Sequence, residues 1–484
     1  MRVTVIGGGI SGLVTAHRLA PYHEVTVLEA ADRLGGCLRA TTVDGAFPEG
    51  LDIGAEASLH RRSETRELAA ELGLDAVFPS PAHSSQVFAR GRLHPIPKRT
   101  VMGVPADPAD VAELLGAEAA ERVAAEVLSP PVTGDVSLGD FLSERLGAEL
   151  VDTLVDPLLG GVYAGRCRNL SLAATVPALL PAARSGTSVL ELVRELIAAR
   201  ESAAATPAPV FMSLVGGINR LVPALAERIR ARGATLRLGT AVDALAASAD
   251  GWTVSAAGAE IATDAVVVAT PADVARQLLA EAAPAAASLL SGIPYASTAL
   301  VLALVEVGES PLAGSGFLVP PTEDTFIKAA THVSNKWPWV RERLPAGTAV
   351  VRMSIGRFGD EPRTWQDLPE TELARRAFAD WQRITGRSDR LVAAEVRHWD
   401  EALPQYLPGH AKTVTAIDAA LARVPGLELA GSAYHGVGIP ACIERADVVA
   451  TRLLTENGQN HVSVDTDGTP LRTDTDENTK KEHE

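Results

Sequence analysis

A glycine-rich run near the amino terminus has the residue types and the spacing that bind a phosphate group. The run Gly7-Gly8-Gly9-Ile10-Ser11-Gly12 fits the pattern Gly-x-Gly-x-x-Gly. In this pattern the first glycine permits a tight turn, the second lets the backbone approach a pyrophosphate, and the third allows a helix to pack closely against a strand. The N–H groups at the start of that helix would bind the phosphate charge. The run therefore predicts a dinucleotide site.

The residues on either side predict the elements that would position this run. Residues 3–6 are β-branched and typical of a strand, residues 13–19 have a helical pattern, and residues 25–28 predict a second strand. Glu29 ends that strand, 22 positions after Gly7, where its carboxylate can accept hydrogen bonds from a ribose diol. A glycine pattern alone is often only a turn, but strand, helix and carboxylate together predict a βαβ unit that binds FAD or NAD.

The residues after the second strand favour FAD. They read Glu29-Ala30-Ala31-Asp32-Arg33-Leu34-Gly35-Gly36. This run resembles that of the FAD-binding amine oxidase and porphyrinogen oxidase superfamily, whose glycines lie along the flavin diphosphate. An NAD-only dehydrogenase does not need a second glycine pair, because its motif ends with the ribose carboxylate. We therefore expect FAD as the cofactor.

Later segments resemble the bacterial coproporphyrinogen III and protoporphyrinogen oxidases within this superfamily. The most specific segment is Asp156-Pro157-Leu158-Leu159-Gly160-Gly161-Val162-Tyr163-Ala164-Gly165. The run Gly91-Arg92-Leu93-His94-Pro95-Ile96-Pro97 and residues 431–443 are also similar, and a Trp-x-x-x-x-Pro-x-Tyr-x-x-x-His pattern is present at Trp399, Pro404, Tyr406 and His410. The resemblance covers about residues 1–455.

The resemblance implies a set of flavin contacts. They are Gly7, Gly8, Gly9, Ile10, Ser11, Gly12, Glu29, Ala30, Arg33, Gly35, Gly36, Gly54, Ala55, Glu56, Ala57, Val242, Trp399, Gly438, Ile439 and Pro440. Each has an ordinary structural alternative: Val242 can be a core strand residue, Trp399 a core aromatic residue, and Gly438-Ile439-Pro440 a loop before a helix. A helix that begins after Gly438 would stabilise negative charge at the pyrimidine end of a flavin.

A porphyrinogen carries propionates, whereas this chain has a net charge of −16, so local cations would be needed to bind it. His94, Lys98 and Arg99 are the predicted propionate contacts, with a solvated basic loop as the alternative. Lys98 and Arg99 stand where the resemblance leads us to expect a variable residue and a glycine. Ala441 and Ala446 also depart from it, standing in place of an aspartate and a glycine.

The resemblance implies oxidation of a porphyrinogen by hydride transfer to the flavin N5, in three rounds, with oxygen as acceptor and hydrogen peroxide as product. This chemistry requires no nucleophile and no metal, so no catalytic acid or base is assigned. His435 is a weak proton-relay candidate that could equally fill space. Coproporphyrinogen III is favoured over protoporphyrinogen IX as substrate. Another flavin amine oxidase, a carotenoid desaturase and a non-catalytic flavin-binding scaffold remain alternatives.

Composition excludes other classes of protein. The 484 residues are 46% hydrophobic and 21% charged, as in a globular chain of several domains, and the excess of 60 acidic over 44 basic residues argues against nucleic acid. The three cysteines have no Cys-x-x-Cys spacing, which argues against a thiolate metal site or a disulfide framework. The strand predicted directly after Met1 leads us to expect no signal peptide, and no apolar run reaches the length of a membrane span, so a cytoplasmic location is expected. Peripheral membrane contact and contact with a downstream haem-pathway enzyme stay open.

The order of predicted elements indicates an α/β fold, and the resemblance implies a discontinuous, Rossmann-like FAD-binding domain at residues 1–60, 205–272 and 424–455. An α+β substrate domain is expected at 61–93 and 273–423, with a helix at 370–385. A helical insertion is expected at 94–204, with helices over 110–127, 138–156 and 189–200. Residues 456–484 predict a disordered tail.

Overall fold

The structure is a computed structural model that describes residues 1–45, 47–203, 209–308, 310–360 and 364–455. The predicted tail at 456–484 lies outside the described residues. The strands of the described chain are β1 (Arg2–Ile6), β2 (Glu24–Leu28), β3 (Ala40–Thr41), β4 (Leu51–Asp52), β5 (Ser58–Leu59), β6 (Ala76–Val77), β7 (Ser85–Ala89), β8 (Arg92–Pro95), β9 (Thr100–Val101), β10 (Val104–Pro105), β11 (Phe211–Leu214), β12 (Thr235–Arg237), β13 (Val242–Ser248), β14 (Gly251–Ala256), β15 (Ala259–Thr263), β16 (Ala265–Val268), β17 (Tyr295–Glu306), β18 (Gly316–Leu318), β19 (Ala329–His332), β20 (Thr348–Ile355), β21 (Arg390–Pro404) and β22 (Leu427–Leu429).

The helices fall mainly between the strands and in one long central segment. They are α1 (Ile10–Leu19), α2 (Glu64–Glu71), α3 (Ala112–Leu115), α4 (Ala117–Ala124), α5 (Leu138–Leu146), α6 (Ala148–Leu150), α7 (Asp156–Tyr163), α8 (Leu172–Thr175), α9 (Leu180–Ser185), α10 (Val189–Ala203), α11 (Leu221–Ala231), α12 (Ala272–Ala282), α13 (Pro284–Leu290), α14 (Val333–Lys336), α15 (Pro338–Arg343), α16 (Glu370–Thr385), α17 (His410–Leu421) and α18 (Ile439–Thr455). Among the residues that the structure describes, none of these helices is both long enough and apolar enough to cross a membrane.

A five-stranded parallel sheet forms the expected Rossmann-like part. Its order is β12-β2-β1-β16-β22, so strands that are distant in sequence lie side by side. Both faces are covered, by α1, α11 and α18 on one side and by α12, α13 and α17 on the other. Burial on both faces explains why β16, an inner strand of the sheet, is apolar at every position. The discontinuous α/β architecture is confirmed, while the exact domain boundaries stay predictions.

A seven-stranded mixed sheet lies beside it, in the order β21-β17-β20-β19-β18-β7-β8. One face packs against α16, which has the predicted bounds because its apolar residues recur at helical spacing. The opposite face packs against the region around Leu51 and Ile53, and it therefore connects this sheet to the nucleotide-binding part.

The central segment is helical, but two predicted helices are wrong as continuous elements. The helix expected over 110–127 is divided at Gly116, and the helix expected over 138–156 is divided at Gly147. Both glycines have positive φ, +91° and +97°, a conformation that does not continue a helix. The shorter helices that result fold back around one apolar cluster, which also contains Tyr406.

Candidate active site

The glycine run forms a turn between β1 and α1 that leaves one side open. A Cβ on Gly7, whose φ is +108°, would lie 2.6 Å from the Ala269 carbonyl oxygen, and a Cβ on Gly12 would lie 1.9 Å from the Gly7 carbonyl oxygen. A Cβ on Gly9 would meet nothing within 4 Å. The N–H groups of Gly9 and Ser11 have no acceptor among the described residues. Packing therefore requires Gly7 and Gly12 to be glycine, whereas Gly9 faces space that a phosphate could occupy.

Glu29 is fixed at the end of β2 with both carboxylate oxygens engaged. Its Oε2 accepts a hydrogen bond from the Gly8 N–H at 2.6 Å, and its Oε1 accepts one from the Ala31 N–H at 2.8 Å. The Thr240 N–H donates to the Glu29 carbonyl at 2.8 Å, which brings the start of β13, at Val242, close to this carboxylate. Carboxylate oxygens have further lone pairs, so this position suits a ribose diol.

Three arginines add positive charge beside the turn. Burial lowers the pKa of Arg33, and the nearby Arg39 and Arg397 lower it further. The Arg33 guanidinium donates to the carbonyls of Leu34, at 3.1 Å, and Gly36, at 2.9 Å. The Nε of Arg397 is buried without a hydrogen-bond partner among the described residues. These donors and the open side of Gly9 fit the diphosphate of FAD.

Sequence reasoning identified Arg33 but missed Arg39 and Arg397. Arg39 follows Gly36 by three residues, and this basic residue next to the second glycine pair could have indicated a further phosphate contact. Arg397 lies on β21, more than 350 positions later, and no local pattern relates it to the turn. Ala30, Gly35 and Gly36 lie in the same loop, where the Gly35 N–H donates to the Gly8 carbonyl at 2.8 Å.

The predicted contact Trp399 packs against residues 54–57. Its indole N–H donates to the Ile53 carbonyl at 2.9 Å. A Cβ on Gly54 would lie 2.1 Å from the Cys37 carbonyl oxygen and 3.0 Å from Trp399 Cζ2. The Ala55 N–H donates to the same Cys37 carbonyl at 3.0 Å. Gly54 is therefore required because two segments of backbone and an indole meet there.

Glu56 joins the nucleotide-binding part to α14 and to β20 of the seven-stranded sheet. Its carboxylate is buried, with Lys336 Nζ at 2.9 Å and the Trp337 indole N–H at 2.8 Å, and it also forms an ion pair with Arg352. Burial opposes ionisation, but Arg352 and Lys336 lower the pKa of Glu56 to about 2. Because both carboxylate oxygens face cations, the Glu56 side chain acts as a positioning group for residues 54–57. A direct flavin contact by Glu56 or Ala57 stays a prediction.

Tyr406 and His410 hold the carboxy-terminal turn. The Tyr406 hydroxyl donates to the Ser432 carbonyl at 2.5 Å and accepts from the Gly436 N–H at 2.8 Å. The His410 ring stacks on the Tyr406 ring, with centroids 3.8 Å apart, and His410 Nε2 lies 3.2 Å from the Tyr434 carbonyl oxygen. This geometry gives the Tyr-x-x-x-His spacing a physical role, because both side chains fix the backbone that leads into α18.

The turn before α18 lies next to the amino-terminal helix α1. Ile439 and Pro440 are buried at the start of α18, and Gly438 is exposed just before them. The Ser11 hydroxyl lies 3.4 Å from the Cys442 carbonyl oxygen, so α1 and α18 begin side by side. The amino-terminal phosphate turn and the carboxy-terminal turn therefore border one site.

The remaining predicted site residues lie in different environments, and no contact joins His94, Lys98 or Arg99 to the glycine turn among the described residues. His94 is buried on β8, with Nε2 3.2 Å from the Ala89 carbonyl oxygen. Lys98 is exposed, and Arg99 forms an exposed ion pair with Glu201 at 3.1 Å. His435 is partly exposed, 3.9 Å from an Asp418 oxygen. The roles of His94, Lys98, Arg99 and His435 toward substrate or protons stay predictions.

Acid pH should destabilise the protein through His410. Burial lowers the pKa of its imidazole from 6.5 to about 4. Between these values the unfolded chain binds a proton that the folded chain does not, so stability falls as pH decreases from 6.5 to 4, by about 3 kcal/mol for this group. Thermal unfolding of the wild type and His410→Gln across this range should show a shallower pH dependence in the variant. Equal slopes would contradict the assignment to His410.

Comparisons with known proteins agree with this site. The profile of the flavin containing amine oxidoreductase family matches residues 10–454. Coproporphyrinogen III oxidase of Mycobacterium bovis is 35% identical, over 93% of this chain and 96% of its own length. Protoporphyrinogen oxidase of Macaca fascicularis is 31% identical, over 93% and 98% of the two chains. A solved structure of a protoporphyrinogen oxidase-like protein from Exiguobacterium sp. 255-15 has a TM-score of 0.81 and 29% identity, over 94% and 99% of the two chains.

The geometry of the site agrees with the family that the comparisons identify. The glycine turn, the arginines and the two chain ends that border the site are the parts that a flavin dinucleotide requires. The cofactor is FAD. This chain belongs to the flavin-containing amine oxidoreductase family.

Proposed function

We propose that this protein oxidises coproporphyrinogen III to coproporphyrin III, a six-electron reaction with oxygen as the acceptor. The observation that carries the proposal is similarity along nearly the whole chain to relatives named coproporphyrinogen III oxidase. Those from Mycobacterium leprae and Staphylococcus aureus are 36% and 28% identical over 93% and 94% of this chain. The predicted location in the cytoplasm and a contact with a downstream haem-pathway enzyme stay predictions.

The chain's own residues would bind the cofactor and keep it in place. When bound, FAD supplies the hydride-accepting chemistry that porphyrinogen oxidation needs. The α1 amino terminus and Arg33 would hold the phosphates, and the N–H groups at the start of α18 would stabilise negative charge on the flavin. Tyr406 fixes the backbone before α18 through its two hydrogen bonds. None of these roles needs a residue that exchanges a proton with the substrate.

We infer that the apolar macrocycle binds in a slot beside α7 and β18, although these two elements also touch at Gly161 and Leu318. A Cβ on Gly161 would meet only Leu318 Cδ2, at 3.7 Å, and Val162 is 44% exposed although it lies within a helix. At the end of α7, the Tyr163 ring lies 5.5 Å from the Tyr406 ring, and the Gln405 amide donates to the Tyr163 carbonyl at 2.7 Å. Exposed apolar side chains beside small residues suit a flat ligand that must be shielded from water.

Protoporphyrinogen IX oxidation is the second candidate, because a relative of that name is 31% identical over a similar length. Initial rates on both porphyrinogens, measured as fluorescence of the ring product, are expected to be higher with coproporphyrinogen III. A preference for protoporphyrinogen IX would reverse the assignment. In an anaerobic mixture, the flavin absorbance should bleach on adding coproporphyrinogen III. A flavin that stays yellow would indicate a scaffold without turnover.

A further inference from the structure

A buried lysine lies near the inferred slot. Lys328 precedes β19, is only 7% exposed, and donates from Nζ to the Gly356 carbonyl oxygen at 2.5 Å. Among the described residues it forms no ion pair with a carboxylate. Burial and, to a smaller extent, the neighbouring Arg357 lower the pKa of Lys328 to about 7, against the opposing effect of Asp360. A buried ammonium held only by a neutral carbonyl is costly unless it meets an anion.

Arg357 is a second, largely buried cation beside Lys328. Its Nη2 donates to the Val319 carbonyl at 2.7 Å, and its Nη1 is 3.8 Å from an Asp360 oxygen. Asp360 is closer to Arg166, whose Nη2 donates to it at 2.6 Å. Arg166 also lies 3.8 Å from Asp156. Within the described part of the chain, Lys328, Arg357 and Arg166 therefore share two carboxylates, those of Asp360 and Asp156, so three basic side chains meet two acidic ones.

This cluster lies where the helical part meets the substrate domain, at the end of the slot. The Phe358 N–H, next to Arg357, donates to the Ala164 carbonyl at 2.6 Å, one residue after α7. Val319, which accepts from Arg357, follows Leu318 of the slot. On the other side, a Cβ on Gly356 would lie 3.1 Å from the Ser297 carbonyl oxygen. The cations therefore adjoin both the slot and the strand that pairs with the Trp399 region.

We infer that Lys328 and Arg357 form a carboxylate-binding subsite for the substrate. This inference rests on the proposed function, since the ligand is a propionate group of a macrocycle in the slot. A carboxylate there would supply the negative charge that the two buried cations lack, with the directional hydrogen bonds that a guanidinium offers. The subsite would favour a macrocycle with four propionates over one with two, because it gives an additional carboxylate a partner. It differs from the exposed Lys98 and Arg99, which water already solvates.

A binding titration tests the subsite apart from turnover. The FAD-loaded enzyme is titrated with coproporphyrin III, which is already oxidised, and with its tetramethyl ester, which has no negative charge. Lys328→Met and Arg357→Gln are expected to weaken coproporphyrin III binding about tenfold, equivalent to about 1.4 kcal/mol, and to leave ester binding and FAD content unchanged. Arg357→Lys keeps the charge and should restore part of the affinity. Arg390→Met, which removes an exposed charge paired with Glu306, is the control and should change neither titration.

Several outcomes would overturn the subsite. One is that both variants bind coproporphyrin III with unchanged affinity. Another is that the variants lose as much affinity for the ester as for the acid. The last is that the wild type binds the ester as tightly as the acid. The last comparison needs no variant, so it decides the question even if a substitution prevents folding. If the wild type oxidises coproporphyrinogen III but shows one of these results, the subsite fails and the proposed function stands. A wild type that neither oxidises nor binds the macrocycle overturns both.

Discussion

Replacing Gly9 with Asp is expected to give a folded protein that is purified without FAD. Gly9 precedes α1 with φ −73° and ψ 177°, an extended conformation that any residue adopts, and a Cβ there meets nothing within 4 Å. Asp is also a favourable residue at this helix position. Its carboxylate would occupy the space intended for the diphosphate and repel it. We expect FAD affinity to fall at least about a hundredfold, roughly 2.7 kcal/mol, with activity lost.

The measurements are the flavin absorbance relative to protein and the circular dichroism of the apo-protein. Two other glycine substitutions serve as matched comparisons. Gly9→Ala adds only a methyl group and should lower affinity less than Gly9→Asp. Gly12→Ala places a Cβ 1.9 Å from the Gly7 carbonyl oxygen, so it should also reduce the thermal stability of the apo-protein. Normal flavin content in Gly9→Asp would show that the phosphate does not bind at this turn.

Replacing Glu56 with Gln is expected to cause the largest loss of stability among single charge removals in the site. The amide would leave the partly buried Lys336 and Arg352 without their common, fully buried carboxylate. Removing one partner of a buried ion pair usually costs about 3–5 kcal/mol, and we expect a loss of this size. Residues 54–57 should also lose their fixed position, so FAD should dissociate at a lower temperature than in the wild type.

Thermal unfolding and flavin release, followed together, check this prediction. Glu195→Gln, an exposed position on α10, is the control and should change the unfolding free energy by no more than about 0.5 kcal/mol. The double variant Glu56→Gln with Arg352→Met should be less destabilised than the sum of the two single variants, because the charges then disappear together. Additive effects would mean that Glu56 and Arg352 do not stabilise each other.

The nucleotide-binding turn could be predicted because its requirements are local. Gly7 needs a positive φ, Gly12 needs close packing on the preceding turn, and Glu29 follows β2 directly. The same holds for α16, whose bounds follow from the helical spacing of its apolar residues. The divided helices at Gly116 and Gly147 were not predicted, since composition alone does not reveal a positive φ.

The sequence by itself determined the class of cofactor and the α/β architecture, because glycine spacing, strand periodicity and helix amphipathicity act over a few neighbouring residues. Only the tertiary structure decided which charges are buried together. Arg397 lies near Arg33 and Lys328 lies near Arg357, so like charges are neighbours in the fold. Arg352 forms an ion pair with Glu56, although the two residues are far apart in the sequence. The physical reason is that the energy of a buried charge depends on its neighbours in space, which strand order and domain packing select and which no local pattern encodes.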